Sequence, residues 1–268
     1  MTKKLIAIDL DGTLLPHNKK IPFFTRLYLK RLSKQGHIVV LASGRPTNAL
    51  LFYRDQIGSK APIVAFNGTS STNPDDQSFP QFKRALDKND IIEIYKNATK
   101  EGVLLNTLLE TDNETWLDKR DSYLEEFFWL IPENIKHGSI SKTLDKHPLT
   151  CVFKVVRNER NDKKLIEIVS KSRTMKIRFW GSKEYAEVYE DNSSKAEPLL
   201  KICEYYGIPR KDFIAFGDSY NDIEMLQAAG IAVAMSNGKE AIKNVSSHIS
   251  VHDHMHQGVK KTLKKLLK

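Results

Sequence analysis

The most constraining stretch of the chain is residues 5–13, an apolar run that ends abruptly in two carboxylates and a glycine. Such a run is typical of a strand buried on both faces of a parallel sheet. Side chains alternate along a strand, so Asp9 and Asp11 leave it on one side while Leu10 points away. Close carboxylates repel unless a cation or a shared proton lies between them. The stretch predicts an acidic site at a strand's carboxyl end. Asp-Gly is also a common hairpin turn, and that alternative stays open here.

Predicted strands and helices alternate in the first quarter of the chain and again after residue 190. Short apolar runs predict the strands, and helically spaced apolar positions predict the helices between them. Alternation of this kind is typical of a parallel, doubly wound sheet, so we expect an α/β fold. The predicted strands are 38–42, 63–66, 213–216 and 231–234, and the predicted helices include 47–56, 195–206 and 239–244.

The middle third breaks this rhythm and predicts an inserted α+β domain. We expect residues 83–186 to form that insertion, and 1–82 with 187–268 to form the core. The stretch 111–149 is predicted to be irregular, and its aromatic residues at 127–129 are expected to fill the insertion's own core. The predicted elements of the insertion are helices 88–101 and 161–173 and strands 103–110, 151–156 and 175–180.

Charge and cysteine usage limit the classes of partner. The 268-residue chain has a net charge of +9, but Lys residues occur along its whole length. The densest cluster, 259–268, separates apolar and Lys positions onto opposite helical faces, which favours a solvated surface helix over a nucleic-acid contact. Apolar runs are far shorter than the ~20 residues of a membrane span. Cys151 and Cys203 form no spacing pattern. We therefore expect a cytoplasmic monomer or small homo-oligomer that binds neither nucleic acid nor membrane.

Three later segments place reactive side chains after predicted strands or at helix starts. Asp218, Asn221 and Asp222 follow a strand and open a predicted helix, on which two carboxylates four residues apart share a face. Helix capping would explain one of these carboxylates but not the whole group. The Ser43-Gly44 pair offers a hydroxyl and backbone N–H groups to a phosphate oxygen, or it is an ordinary capped turn. Lys195 stands at a helix start, where a lysine more often faces solvent.

In chain order, Asp9–Thr13, Ser43, Lys195 and Gly217–Asp222 resemble the four motifs of the haloacid dehalogenase-like (HAD) superfamily. The long insertion resembles the type IIB cap of Cof-like sugar-phosphate phosphatases, and Asn67-Gly68 points to the same subfamily. The resemblance implies a Rossmann-like core with a mobile, substrate-selecting cap. It also implies Mg²⁺-dependent hydrolysis of a small phosphorylated metabolite, most simply a sugar phosphate, through an aspartyl-phosphate.

The resemblance further implies a role for each matching residue. Asp9 would be the nucleophile, and Asp11 would protonate the leaving group and then deprotonate water. Thr13 would orient Asp11, and Asp222 would orient the metal shell or Lys195. Ala196 stands where the family often has Gly. The implied Mg²⁺ ligands are Asp9, Asp11 through its backbone carbonyl, and Asp218, and the implied phosphate-binding residues are Leu10, Ser43, Gly44, Lys195 and Asn221.

Two other functions use the same motifs. A phosphomutase would return the phosphoryl group to a sugar, and a non-catalytic phospholigand-binding protein would keep the scaffold without needing every motif residue.

A run of histidines before the last helix lies outside these motifs. Its alternate spacing could present ligands to Zn²⁺ or Ni²⁺, but a structural or solvent-facing role is the expectation. Its members are His248, His252, His254 and His256.

Overall fold

The computed structural model describes residues 2–111, 114–130, 135–140, 144–181 and 184–268. The chain divides into two compact units, one made of Met1–Phe82 with Ser194–Lys268 and the other of Lys83–Ser193. The sequence expectation places the second boundary between residues 186 and 187, which lies inside a single strand, Tyr185–Glu190. All of that strand pairs within the second unit. The boundary therefore follows Ser193.

The strands and helices are numbered in chain order over the described residues. The strands are β1 Leu5–Ile8, β2 Ile38–Leu41, β3 Ile63–Ala65, β4 Ser70–Thr72, β5 Phe82–Lys83, β6 Leu104–Glu110, β7 Thr115–Leu117, β8 Ile135–His137, β9 Thr150–Val155, β10 Met175–Phe179, β11 Tyr185–Glu190, β12 Phe213–Gly217, β13 Ile231–Ala234 and β14 His248–Ile249. The helices are α1 Phe23–Lys34, α2 Thr47–Gln56, α3 Lys88–Lys100, α4 Ser122–Phe127, α5 Glu159–Ser170, α6 Ala196–Tyr205, α7 Ile223–Ala228, α8 Glu240–Asn244 and α9 Gly258–Leu266.

The first unit is built on a parallel sheet with the order β14-β13-β12-β1-β2. A parallel bridge from Ala42 to Val64 joins β3 to the free side of β2, and β3 also pairs antiparallel with β4. All four residues of β1 are buried, as expected for a central strand covered on both faces. The predicted doubly wound α/β core is therefore confirmed. Its consequence for function is that the carboxyl ends of β1, β2, β3 and β12 lie at one edge of the sheet.

The second unit has a six-stranded sheet with the order β10-β11-β9-β6-β7-β8. Its pairings are antiparallel except for β7 with β8. Apolar residues of β9 and β11 pack under α3 and α5, and they include Phe153 and Val188. Alternation along β9 directs Lys154 to the opposite face.

Sequence patterns missed several elements of this second unit. The stretch 111–149, predicted to be irregular, contains β7, α4 and β8, and β11 was not predicted. Of the aromatic residues at 127–129, Phe128 is buried, and the ring of Phe127 lies 4.9 Å from that of Trp180.

Candidate active site

The candidate site lies at the carboxyl edge of the parallel sheet, wholly within the first unit. Asp9 follows β1, and its backbone N–H donates to the carbonyl of Phe216 in β12 over 3.1 Å. Ser43 follows β2, and its N–H donates to the carbonyl of Val64 in β3 over 2.9 Å. These backbone bonds hold the loop that begins at each strand end in register with its neighbour. Side chains far apart in sequence are therefore brought to one place.

Lys195 is the centre of the site, and it is fully buried at the start of α6. Its Nζ donates to Oδ1 of Asp9 and to Oδ1 of Asp222, both over 2.7 Å. Burial alone would lower the pKa of Lys195, but the charges of Asp222 and Asp9 outweigh it and raise that pKa above its usual value. The solvent-facing alternative for this lysine is therefore wrong.

Asp222 and Asp218 lie close together, but not on the face of one helix as predicted. Residues 220–222 form a 3₁₀ turn, and α7 begins only afterwards. The second carboxylate oxygen of Asp222 accepts from the backbone N–H groups of Asp218 and Ser219 over 3.0 and 3.1 Å. Asp222 thus ties the loop together and holds Lys195 at the same time. Both of its oxygens are already engaged.

Asp218 is held by residues from the loop after β1. The hydroxyl of Thr13 donates to Oδ1 of Asp218 over 3.0 Å, so Thr13 does not orient Asp11, the role that the family resemblance implied. Gly12 has a φ of +82°, and a Cβ there would collide with the Asp218 carboxylate. Glycine is therefore required both by the backbone conformation and by the closeness of that carboxylate.

The site carries more negative than positive charge. Carboxylate oxygens of Asp9, Asp218 and Asp222 all lie within 4.8 Å of one another, and Lys195 supplies one positive charge among them. Burial and the charge of Asp222 raise the pKa of Asp218 to about 6. Burial also raises the pKa of Asp9 well above its usual value, against the opposing effect of Lys195. A divalent cation would balance this cluster, and an all-oxygen donor set suits a hard cation such as Mg²⁺. The residues present therefore fit that ion, and Asp9 and Asp218 would be its carboxylate ligands.

Asp11 is not part of this cluster, and it binds basic groups that the sequence did not predict. The guanidinium of Arg45 donates to both of its oxygens over 2.7 and 2.9 Å, and Lys19 forms an ion pair with it. Burial would raise the pKa of Asp11, but Arg45 and Lys19 together lower it to about 2. Arg45 directly follows the Ser-Gly pair in sequence, and this adjacency was the one available signal. The Asp11 carboxylate is therefore held ionised in this arrangement.

The predicted phosphate-binding residues of the loops meet around Asn67. The amide of Asn221 donates to Oδ1 of Asn67 over 2.8 Å, and a Cβ on Gly44 would lie 2.8 Å from Nδ2 of Asn67. The Ser43 hydroxyl is buried and accepts from the Arg45 N–H over 3.3 Å, so Ser43 caps its own turn. Leu10 is buried. Asn67 was noted in the sequence only as a subfamily marker.

Among the described residues, no histidine of the run belongs to the acidic cluster. Residues 254–256 form a 3₁₀ turn before α9, in which His256 pairs with Asp253 over 2.7 Å. The His254 ring lies 5.1 Å from that of His17, and the His248 ring contacts Ser247. In the ranges that the structure describes, the only group of three or more His, Cys, Asp or Glu residues spaced to hold a metal is the Asp9 cluster. His252 is half-buried and contributes its carbonyl to a hydrogen bond with Ser250.

Comparison with known proteins agrees with this geometry. Residues 6–263 match the model of the haloacid dehalogenase-like hydrolase family. The 5-amino-6-(5-phospho-D-ribitylamino)uracil phosphatase YitU of Bacillus subtilis (strain 168) is 32% identical over 246 residues, covering 91% of this chain and 90% of that protein. A haloacid dehalogenase-like hydrolase of Bacteroides thetaiotaomicron superposes with a TM-score of 0.84 at 24% identity, covering 99% of this chain and 100% of the other.

A second solved structure, a HAD subclass IIB sugar phosphatase, superposes with a TM-score of 0.80 at 22% identity and covers 99% of both chains. Across the described residues, no helix is long and apolar enough to cross a bilayer. The family match spans nearly the whole chain and includes the Asp9 loop, the Lys195 position and the Asp218–Asp222 turn. The chain therefore belongs to the haloacid dehalogenase-like hydrolases.

Proposed function

We propose that the protein is a Mg²⁺-dependent phosphatase that hydrolyses small phosphomonoesters through a phosphorylated Asp9. The observation that carries the proposal is the buried contact of Asp9 with Lys195, beside Asp218 and Asp222. Lys195 binds Oδ1 of Asp9 and leaves Oδ2 available as the attacking atom. Attack of an anionic carboxylate on an anionic ester requires cancellation of charge. Lys195 supplies part of that cancellation, and the bound metal would supply the rest by neutralising charge on the phosphoryl oxygens.

The remaining residues are assigned by what their atoms can do. Oδ2 of Asp9 would form the new bond to phosphorus while the bond to the leaving oxygen breaks. Water would then attack phosphorus and release Asp9. The Asp11 carboxylate, ionised at neutral pH, is suited to take the proton from that water. To protonate the leaving oxygen in the first step, Asp11 would have to leave Arg45 and Lys19 and take up a proton. Donating that proton would return the carboxylate that then accepts one from the attacking water.

The substrate class is proposed from the family. The relative at 32% identity is named for a ribityl phosphate carried on a uracil, so we propose sugar or sugar-alcohol phosphates as the substrates. The second unit, which lies between the motifs in sequence, is proposed as the substrate-selecting cap. Substitution of Lys154 or other polar residues on its face away from α3 and α5 should change the preferred ester while sparing acetyl phosphate. Equal losses for every ester would refute selection by this unit.

Phosphate release by Asp9→Asn tests the nucleophile. The variant should lose all measurable turnover of every ester and keep its fold, as judged by thermal unfolding. Asp212→Asn is the matched control, because Asp212 is also buried and also pairs with a lysine, Lys4, over 2.8 Å. Substantial phosphate release by folded Asp9→Asn would contradict the nucleophilic role. Recovery of an isomerised sugar phosphate instead of free phosphate from the unaltered protein would identify a mutase.

A further inference from the structure

Most of the net positive charge of this chain lies on two helices that pack side by side. Helix α1 contains four Lys and Arg residues, α9 contains four Lys residues, and neither helix contains an Asp or Glu. Together they account for eight of the nine net positive charges of the chain, although more than 200 residues separate them in sequence. The two helices pack against each other in the first unit. Basic residues that look scattered along the sequence therefore form one surface.

Within the described part of the chain, none of these eight basic residues takes part in an ion pair. Lys30, Arg31 and Lys34 of α1 are exposed, as are Lys264 and Lys265 of α9. Burial and the neighbouring charges of Lys264 and Lys261 lower the pKa of Lys260. Like charges have therefore been placed together without internal acidic partners, which leaves them available to an external anion.

The same surface also exposes large apolar side chains. Phe23, Phe24 and Leu27 are 56%, 63% and 47% exposed, on the stripe of α1 that continues to Lys30 and Lys34. Lys residues of α9 reach over this helix, with Lys260 Nζ 5.4 Å from the ring centre of Phe24 and Lys264 Nζ 5.7 Å from that of Tyr28. Exposed apolar groups thus alternate with ammonium groups along the contact between the helices.

We propose that this surface, formed by α1 and α9, docks the protein on an anionic lipid bilayer, which reverses the expectation from the sequence that the chain binds no membrane. Ammonium and guanidinium groups would bind lipid phosphates, and the apolar side chains of α1 would enter the boundary between headgroups and acyl chains. The residues of the surface are distinct from the candidate active site, so the inference stands independently of the proposed phosphatase activity.

Leu27 favours a lipid surface over a nucleic acid as the partner. Nucleic acids are bound through phosphates and through stacking of bases on flat side chains. Exposed aliphatic and aromatic groups that share one helical stripe instead match the composition of helices lying in a bilayer interface. The positive charge of the surface would suit an anionic bilayer or a nucleic acid. The exposed apolar side chains of α1 favour the bilayer.

Sedimentation of the full chain with vesicles tests the proposal. Vesicles of equal parts phosphatidylcholine and phosphatidylglycerol should bind the protein, and pure phosphatidylcholine vesicles should not. Binding should fall steeply as salt rises from ~0.1 M to ~1 M, which shortens the screening length from about 10 Å to about 3 Å. Lys264→Glu should weaken binding roughly tenfold. Leu27→Ser should weaken it about fivefold.

Two matched variants control for net charge and for surface polarity. Lys96→Glu reverses an exposed lysine of α3, and Leu200→Ser replaces a leucine of α6 that is 46% exposed, against 47% for Leu27. Both controls should bind vesicles like the unaltered protein, and all four variants should keep its thermal unfolding midpoint. Absence of binding to anionic vesicles, or equal losses in patch and control variants, would overturn the proposal. Tighter binding to an oligonucleotide at the same salt, insensitive to Leu27→Ser, would assign the surface to nucleic acid instead.

Discussion

The acidic cluster of the first unit and two ion pairs with buried carboxylates in the second unit hold charged side chains in opposite ways. In the first unit, one lysine lies among the carboxylates of Asp9, Asp218 and Asp222, so negative charge is in excess. In the second unit, Arg178 pairs with the buried Glu187 across two strands over 2.8 Å, and Lys154 pairs with the buried Asp121 over 2.9 Å. Each of these two buried carboxylates has a cation of its own.

The difference separates a charge that stabilises a fold from one that does chemistry. A balanced pair satisfies both ions and adds little further reactivity. Buried carboxylates that outnumber the nearby cations destabilise the fold by their mutual repulsion. Such an excess of negative charge is found where a bound cation or a substrate balances it. The cross-strand pair of Arg178 with Glu187 therefore indicates structure, whereas the imbalance around Lys195 indicates a site.

The largest expected effect comes from removing the cationic partner of a buried carboxylate, Lys195 in the first unit or Arg178 in the second. Lys195→Met should lower kcat by about 10³ or more, because the charge facing the phosphoryl group is lost. It should also cost about 3–5 kcal/mol of unfolding free energy by leaving buried carboxylates uncompensated. Arg178→Met in the second unit should lower stability and leave acetyl phosphate hydrolysis within about twofold of the unaltered rate. Chemical denaturation and phosphate release measure both quantities. Similar losses of turnover in the two variants would remove the distinction between the units.

A divalent cation should act on only one of the two sets of carboxylates. EDTA should abolish turnover and Mg²⁺ restore it. At a concentration 100 times its dissociation constant, Mg²⁺ should raise the unfolding free energy by about 2.7 kcal/mol. Asp218→Asn should remove this stabilisation. Asp121→Asn, which alters a buried carboxylate of the second unit, should retain it. Full activity in excess EDTA, or a Mg²⁺ effect unchanged in Asp218→Asn, would contradict the assigned ligands.

Glu110 in β6 is the exception in the second unit, since it is buried without a cation. Its Oε1 accepts from the Thr115 hydroxyl over 3.2 Å, and its Oε2 has no partner among the described residues. Burial raises the pKa of Glu110 to about 8. This carboxyl group is neutral in the folded state at pH values where the unfolded chain ionises it. Its favourable contribution is therefore complete below about pH 4.5 and is lost as the pH rises towards 8.

Glu110→Gln should remove that part of the pH dependence. Between pH 5 and 8 the unaltered protein should lose a few kcal/mol of unfolding free energy relative to the variant, since each unit of pKa shift corresponds to about 1.4 kcal/mol. Glu187→Gln, which changes another buried glutamate of the same sheet, should keep the slope. Denaturation curves at several pH values give the comparison. Parallel curves for Glu110→Gln and the unaltered protein would show that Glu110 does not titrate in this way.

The sequence predicted the parts of the site that are fixed by strand ends. Buried parallel strands were recognisable from their apolar runs, and the polar residues directly after them had to meet at one edge of the sheet. The partners of Asp11 and Thr13 were not predictable in this way. They depend on the conformation of the loop after β1. That loop brings Asp11 to Lys19 and Arg45, and it brings Thr13 to Asp218.

Short elements of the second unit were missed for a related reason. The strands β7 and β8 each have three residues, too few for a periodic pattern, and pairing with their neighbours holds them in place. The strand β11 carries polar residues such as Glu187 on one face, and its partner Arg178 lies on the adjacent strand. The contact of α1 with α9 likewise joins segments that no local pattern relates.

The smallest expected effect distinguishes two buried threonines of the first unit. Thr13 donates to Asp218, whereas the Thr25 hydroxyl in α1 is buried without a partner among the described residues. Thr13→Val should raise the Mg²⁺ concentration needed for half-maximal activity about tenfold, because Asp218 loses the bond that orients it. At saturating Mg²⁺ its kcat should stay within about threefold of the unaltered value, because no group touching the substrate is removed. Thr25→Val deletes an unsatisfied hydroxyl at nearly constant shape, so it should be neutral or slightly stabilising and leave the Mg²⁺ requirement unchanged. Mg²⁺ titrations of phosphate release measure the pair, and equal Mg²⁺ requirements in the two variants would show that the Thr13 bond does not position a metal ligand.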